Sequence, residues 1–517
     1  MQKLKLVFEK LRKQYSSIKA LKPYPEIDWL PIESSGLENF SANYAAGRIT
    51  IKAQGYLGAI YALQQIHTGI RSGHLADFLG HIKPRFKIRP LWIEDSVKAL
   101  LGEPHKIEAF ATAVLELGYN TIIVDQSSDQ INLTSLCAAL QSYGLKVVLK
   151  LSHFQAQHQA ICSPLIPDYS DKVKSYISQI SSQNAHYDFL FWESQWQRPE
   201  FLEAPGVDFY TLPEVVLEEA HLLENILEKS KTLIFYVPAD EEESAQQSAS
   251  WMSRLAIDLR QNTILAYSAT AGDCLLNNQS PHPFWNQLRH QIEKSFSPLM
   301  PILNVGQVPQ SEGLWPLLAD DLIDEYMLRC QNERFIGVLC VANQLPAKKG
   351  IHHCNLWTAS QMMWNAQIPA FMWVETWFSA HRPDWNYNFY APFLCQIGLL
   401  SKQLSLLRSL AKQQSAGHLS SQECRLFIDS LLIQIDALMS RMDREERKCL
   451  QKSENTPLGE YFKFFAEDAR FIILQILPDL NLSLPHSLKE KDMRGSLEQR
   501  SKHRLLHEQK QGKEFLF

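Results

Sequence analysis

The segment YDFLFWESQW, residues 187–196, sets one carboxylate, Glu193, between Trp192 and Ser194 after a run of aromatic and apolar side chains. A carboxyl group with apolar flanks is desolvated, which favours its neutral form. A neutral acid near neutrality can give a proton to a departing oxygen. Glycoside hydrolysis needs such an acid and a second carboxylate as base or nucleophile. For the second, the order of preference is Asp273, after the small-residue stretch SATAGD, then Asp125, then Asp240. Asp240 opens DEEES, whose acids also suit a helix amino end. Sugar hydroxyls require several polar partners, and pyranose faces require flat apolar surfaces. Asp95, Lys150, His153, Asn304, Gln307 and Asn343 are the polar candidates, and Trp92, Trp192, Trp196, Trp315 and Trp364 the flat ones, with Trp192 and Trp196 beside Glu193. The bland alternatives are core packing for each tryptophan and an ion-paired or surface role for Glu193.

These residues share a position: each closes, or lies just past, a short β-branched or aromatic run. The runs are 86–96, 120–126, 146–154, 187–194, 232–240, 262–273, 298–307 and 335–343. Between them lie segments with apolar residues at helical spacing, two of which stop at Gly118 and Gly144. Strands alternating with helices imply parallel pairing, because a parallel neighbour needs a crossover. Eight such units predict an α/β fold, a (β/α)8 TIM barrel over residues 85–385, whose active site forms at the carboxyl ends of the strands. The runs are apolar almost throughout, as suits strands buried on both faces. A doubly wound open sheet is the alternative, but no GxGxxG loop follows the first run.

Residues 1–84 read as a small α/β domain, with a hairpin in ENFSANYAAGRITIKA and a helix in GYLGAIYALQQIHTGIRSG. Residues 386–484 read as a helical region, and 485–517 as a charged tail. The amphipathic C-terminal stripes suit packing on the barrel or pairing of two copies.

The chain has 517 residues, 45% of them hydrophobic and 21% charged, with a formal net charge of -5. Nothing in that balance suggests a nucleic-acid partner. No stretch approaches 18 uninterrupted apolar residues, so no spanning helix and no membrane partner is expected. The amino-terminal segment lacks the apolar run and cleavage site of a signal peptide. Nine scattered cysteines fit reduced thiols and a cytoplasmic location. The adjacent His352 and His353 point different ways on most backbones and have no second cluster at ligand spacing, so neither metal nor cofactor is expected. No GxSxG elbow is present.

The stretch RITIKAQGYLGAIYALQQI, a linker and then PRFKIRPLWIEDS resembles the entry to the barrel in the beta-hexosaminidases of glycoside hydrolase family 20 and the alpha-glucuronidases of family 67. NLWTASQMMWNAQ is similar to the exit of such barrels. The resemblance implies a glycosidase acting on an O-glycosidic bond of an oligosaccharide or glycoconjugate. It also implies that Arg89 binds the terminal sugar, although Pro90 replaces the usual following glycine. Hexosaminidases carry an Asp-Glu pair after the fourth strand; here Trp192 precedes Glu193, which argues against N-acetyl-assisted chemistry. The other expectation is a catalytically inactive relative that binds carbohydrate or a protein through the same mouth.

Overall fold

The computed structural model describes residues 2–16, 27–29, 38–53, 55–93, 104–126, 133–151, 163–183, 186–208, 210–227, 231–239, 242–273, 278–281, 283–285, 297–306, 318–330, 334–342, 350–365, 367–382, 391–394, 396–400, 403–404, 406–407, 421–451, 459–478 and 482. The chain begins with a helix, Gln2–Ser16, and a four-stranded sheet. Its strands are β1 (Ile27–Trp29), β2 (Phe40–Ala45), β3 (Arg48–Ala53) and β4 (Gly80–Ile82), in the order β1-β3-β2-β4. β2 and β3 form the expected hairpin. Its two turn residues, Ala46 and Gly47, have φ of 51° and 77°, the left-handed pair that matches the twist of the flanking strands. The helix Tyr56–Ser72 packs on this sheet and ends at Gly73 with φ 80°. Its Gly58 lies against the preceding chain so closely that a Cβ would stand 2.8 Å from the carbonyl oxygen of Asn39.

Eight parallel strands then close into a barrel: β5 (Pro90–Ile93), β6 (Thr121–Asp125), β7 (Lys146–Lys150), β8 (Phe189–Glu193), β9 (Thr232–Val237), β10 (Thr263–Ser268), β13 (Leu299–Gly306) and β14 (Leu339–Ala342). β14 pairs back onto β5. All eight runs read from the sequence supply a strand, and the ring leaves no open edge. The open-sheet alternative is thereby excluded. One run divides. β10 ends at Ser268, and β11 (Thr270–Asp273) turns away to form an antiparallel ribbon with β12 (Asn278–Pro281).

Alternation along each strand divides the core in two. Ile123, Val148, Phe189, Phe191, Ile234 and Met300 fill the barrel interior. Ile122, Leu149, Leu190, Trp192 and Phe235 point outward and are covered by helices. Both faces are dry, which is why the runs show no polar alternation until their ends. Each such side chain contributes about 1.5–3 kcal/mol on burial. The helices Pro104–Glu116 and Thr134–Ser142 stop just before Gly118 and Gly144, whose φ values are 94° and 80°. A Cβ at Gly118 would also stand 2.2 Å from Ser360 Oγ, so backbone conformation and space both call for glycine. After β14 the helices Ile351–Trp364 and Ala370–His381 complete the outer layer, and the latter also packs on Tyr56–Ser72. Farther on, Ser421–Gln451 runs along Gly459–Ile476, with Arg470 paired to Asp436. Among the described residues no helix is long and apolar enough to cross a membrane.

Arg89 joins the small sheet's lead-in to the barrel. It is fully buried, with Nη1 2.9 Å from Glu38 Oε2 and Nε donating to the Gly118 carbonyl at 2.9 Å. Its guanidinium lies 4.5 Å from the centre of the Trp364 ring. The Asn120 amide donates to the other Glu38 oxygen. Arg89 immediately precedes the first residue of β5, at the amino-terminal end of the barrel. The sugar-binding role expected from the resemblance is therefore corrected: the mouth lies at the opposite end of the strands, and Nε and Nη1 are held by protein acceptors, while the buried Nη2 has no partner among the described residues.

Candidate active site

At the carboxyl ends of the strands the inward-facing positions become polar. Strand pairing aligns Asp125 with Lys150, Glu193 with Tyr236, and Asn304 with Val341. Two residues before Glu193, Phe191 is opposite Lys150. Because side chains alternate, Asp125, Lys150, Glu193, Tyr236, Ser268 and Asn304 follow the apolar interior residues of their strands and face the mouth. The register between β13 and β14 shifts at Asn304, a bulge that re-aims the strand at the rim.

The centre of this layer is an ion pair. Lys150 Nζ is 2.9 Å from Glu193 Oε2, with 8% of the lysine side chain and 28% of the glutamate side chain exposed. The ammonium also lies 3.9 Å from the centre of the Trp92 ring. Trp92 and Phe191 are 6.0 Å apart, and Phe191 and Tyr236 5.6 Å, so three rings make a tilted apolar floor under the charges. The Trp92 indole N–H is buried and has no hydrogen-bond partner among the described residues. Tyr236 Oη is 2.9 Å from Ser268 Oγ, which also accepts from the Ala239 backbone N–H at 3.3 Å. Two carboxylates, Asp125 and Glu193, thus close β6 and β8, the strands on either side of β7, and Glu193 is the one paired with the ammonium.

Of the residues expected from sequence, the structure gathers Asp125, Lys150, Glu193 and Asn304 at the mouth. Trp192 and Trp196 lie elsewhere. Trp192 points outward and its indole donates to Glu219 Oε1 at 2.9 Å. Trp196 is buried, donates to the Pro238 carbonyl at 2.9 Å and meets Trp251 edge-on at 5.5 Å. Both are packing residues of the helix layer, so the indoles beside Glu193 in the chain do not border its carboxylate. The apolar flanks that suggested a proton-loaded Glu193 belong to the other face of the sheet. Asp273 is on β11, opposite Asn278 in the ribbon, and does not end a barrel strand. The side chain of Asp273, and Asp95, His153, Asp240, Gln307 and Asn343 as a whole, lie outside the described residues.

Of the expected indoles, Trp92 does face the mouth, whereas Tyr236 and Ser268 were not among the residues expected from sequence. Polar residues that close the runs were expected there, but β9 ends at Val237 and β10 at Ser268, three and five residues before Asp240 and Asp273. Counting back by twos from Glu193 and across the ladder would have found Tyr236. His353 accepts a hydrogen bond from the Trp377 indole at 3.0 Å within an aromatic cluster of the outer helices. Among the described residues no three His, Cys, Asp or Glu side chains gather as a metal site would require.

No family model and no curated protein matches the sequence. Among solved structures, the fold is similar to a GH138 enzyme targeting pectin rhamnogalacturonan II, at 10% identity and a TM-score of 0.52, over 93% of this chain and 69% of that one. It is also similar to a family 89 glycoside hydrolase from Clostridium perfringens, at 10% identity and a TM-score of 0.50, over 92% and 66%. A GH20 beta-N-acetylhexosaminidase from Streptomyces coelicolor A3(2) aligns at 11% identity and a TM-score of 0.47, over 74% and 90%. The chain spans about two thirds of the length of the first two proteins. At these identities the likeness is one of fold alone.

Proposed function

We propose that the protein is a glycoside hydrolase that cleaves an O-glycosidic bond of an oligosaccharide or glycoconjugate at the carboxyl-terminal mouth of the barrel. The observation that carries this reading is the pair of carboxylates, Asp125 and Glu193, at the mouth on either side of Lys150, above a floor of Trp92, Phe191 and Tyr236. Two carboxylates across a pocket are the minimum for glycoside hydrolysis, and an aromatic floor suits a pyranose face. Two of the proteins with the similar fold act on glycans by their names, which supports the same substrate class here.

The roles follow from the ion pair. Glu193 accepts from the Lys150 ammonium at hydrogen-bonding distance. It serves as the base that activates water or as the nucleophile at the anomeric carbon. Asp125 is the proton donor to the leaving oxygen. Lys150 holds Glu193 in place. Tyr236, Ser268 and Asn304 bind hydroxyls. Asp95, His153, Asp240, Gln307 and Asn343 follow the same strands in the chain and join the hydroxyl-binding set in this reading.

A panel of aryl glycosides tests it. Glu193→Gln is expected to lose at least 100-fold in kcat with good and poor leaving groups alike. Asp125→Asn is expected to lose as much with a poor leaving group but little with dinitrophenolate, which departs without a proton. Parental turnover by Glu193→Gln would refute the assignment. A parent protein that binds sugars on calorimetry but releases no aglycone would favour the inactive carbohydrate-binding alternative.

A further inference from the structure

We infer that Glu219, on the helix Leu212–Ile226 outside the barrel, is a positioning residue that sets the orientation of Glu193. Its carboxylate is fully buried and takes three hydrogen bonds from neutral donors. Tyr169 Oη donates to Oε1 at 3.0 Å and the Trp192 indole donates to the same oxygen at 2.9 Å. Ser194 Oγ donates to Oε2 at 2.7 Å. Trp192 and Ser194 are the two neighbours of Glu193 in the chain. One helix-borne carboxylate therefore grips the outward side chains on both sides of the inward one.

The consequence follows from strand geometry. Adjacent side chains point to opposite faces, so fixing residues 192 and 194 outward fixes residue 193 inward. β8 has its last residue at Glu193, where the ladder no longer constrains the chain on both sides. There the Ser194 backbone N–H donates to the Tyr236 carbonyl at 2.9 Å, and the Glu219 bonds add the side-chain anchor. The result is that Glu193 meets Lys150 at 2.9 Å. A leucine at position 219 would fill similar space without desolvating a carboxyl group, but it could accept none of the three bonds. Burial is also the largest influence on the Glu219 carboxyl, pushing it up to about 7, while the three donors pull the other way.

The inference rests on the glycosidase reading for its effect on rate but not for its effect on geometry, and the experiment separates the two. Crystal structures of the parent, Glu219→Leu and Glu219→Gln are compared, and kcat and KM are measured on the best aryl glycoside. In Glu219→Leu the Glu193–Lys150 contact is expected to open beyond hydrogen-bonding distance. Its kcat is expected to fall about 100-fold, the scale of a misplacement of about 1 Å, with KM within about twofold. Glu219→Gln keeps an acceptor oxygen and the shape, and is expected to recover most of the rate and the contact. A Leu variant that keeps both the contact and the rate overturns the inference. Should the Leu variant not fold, Ser194→Ala decides: a roughly tenfold fall in kcat at unchanged KM supports the anchor, and parental kcat overturns it. If the parent hydrolyses no glycoside, the glycosidase reading falls, while the crystal comparison still decides whether Glu219 positions Glu193.

Discussion

The Lys150–Glu193 pair can be broken from either side, and the loss has a calculable scale. At 2.9 Å the Coulomb attraction is about 6 kcal/mol for an effective dielectric constant of roughly 20. Desolvation offsets much of this, because the lysine side chain is 8% exposed and the glutamate 28%. Contact of the ammonium with the Trp92 ring at 3.9 Å contributes about 1 kcal/mol in the other direction. For side chains in direct contact and this little exposed, a pairwise coupling of about 2 kcal/mol is expected. Lys150→Met keeps the aliphatic stem and strands the carboxylate; Glu193→Gln strands the ammonium. Each is expected to lower stability by about 2–3 kcal/mol, since a partner left alone still bears its desolvation. The double variant is expected to lose about 2 kcal/mol less than the two losses together. Urea unfolding followed by tryptophan fluorescence measures all four proteins. Single losses under about 0.5 kcal/mol that add within error would refute a coupled pair, and with it the role of Lys150 in holding Glu193.

Three further outcomes follow. Arg89→Met removes the partner of Glu38 and the donor to Gly118, and is expected to cost about 3–5 kcal/mol in denaturant while leaving KM for glycosides unchanged; a raised KM at parental stability would restore its sugar-binding role. Burial raises the Glu219 carboxyl from 4.5 to about 7, so the native state holds the extra proton between those values. Its contribution to stability is full below about pH 4.5 and is lost as pH rises through 7, and Glu219→Gln should remove that decline from a plot of Tm against pH. His67 is shifted in the opposite sense, from 6.5 down to about 4, chiefly by burial and then by Arg71. Its contribution is present above about pH 6.5 and lost as pH falls through 4, and a His67→Gln protein whose acid-side Tm profile matches the parent's would show that this histidine does not drive the loss.

The barrel was legible because its signal is repetitive. Eight apolar runs separated by helical spacing have few parallel arrangements open to them, and a dry interior and a dry exterior both demand apolar side chains. Gly118 and Gly144 marked helix ends because a left-handed residue is needed there whatever surrounds it. Asp125, Lys150, Glu193 and Asn304 could be named since a strand's polar end in such a barrel has one place to go. Arg89 could not be placed, because its chemistry suits a sugar as well as Glu38, and only the docking of residue 38 beneath the barrel decides between them. Trp192 and Trp196 were misplaced for a related reason. Neighbours in a strand face opposite sides, so nearness along the chain says nothing of nearness in space. The splitting of 262–273 at Ser268 also lay beyond the sequence, because β10 and β11 are equally strand-like and differ only in their partners. Local pattern determined the elements and their order. Pairing across the ring decided which side chains meet, since the Lys150–Glu193 contact and the Glu219 anchor join residues that no local spacing connects.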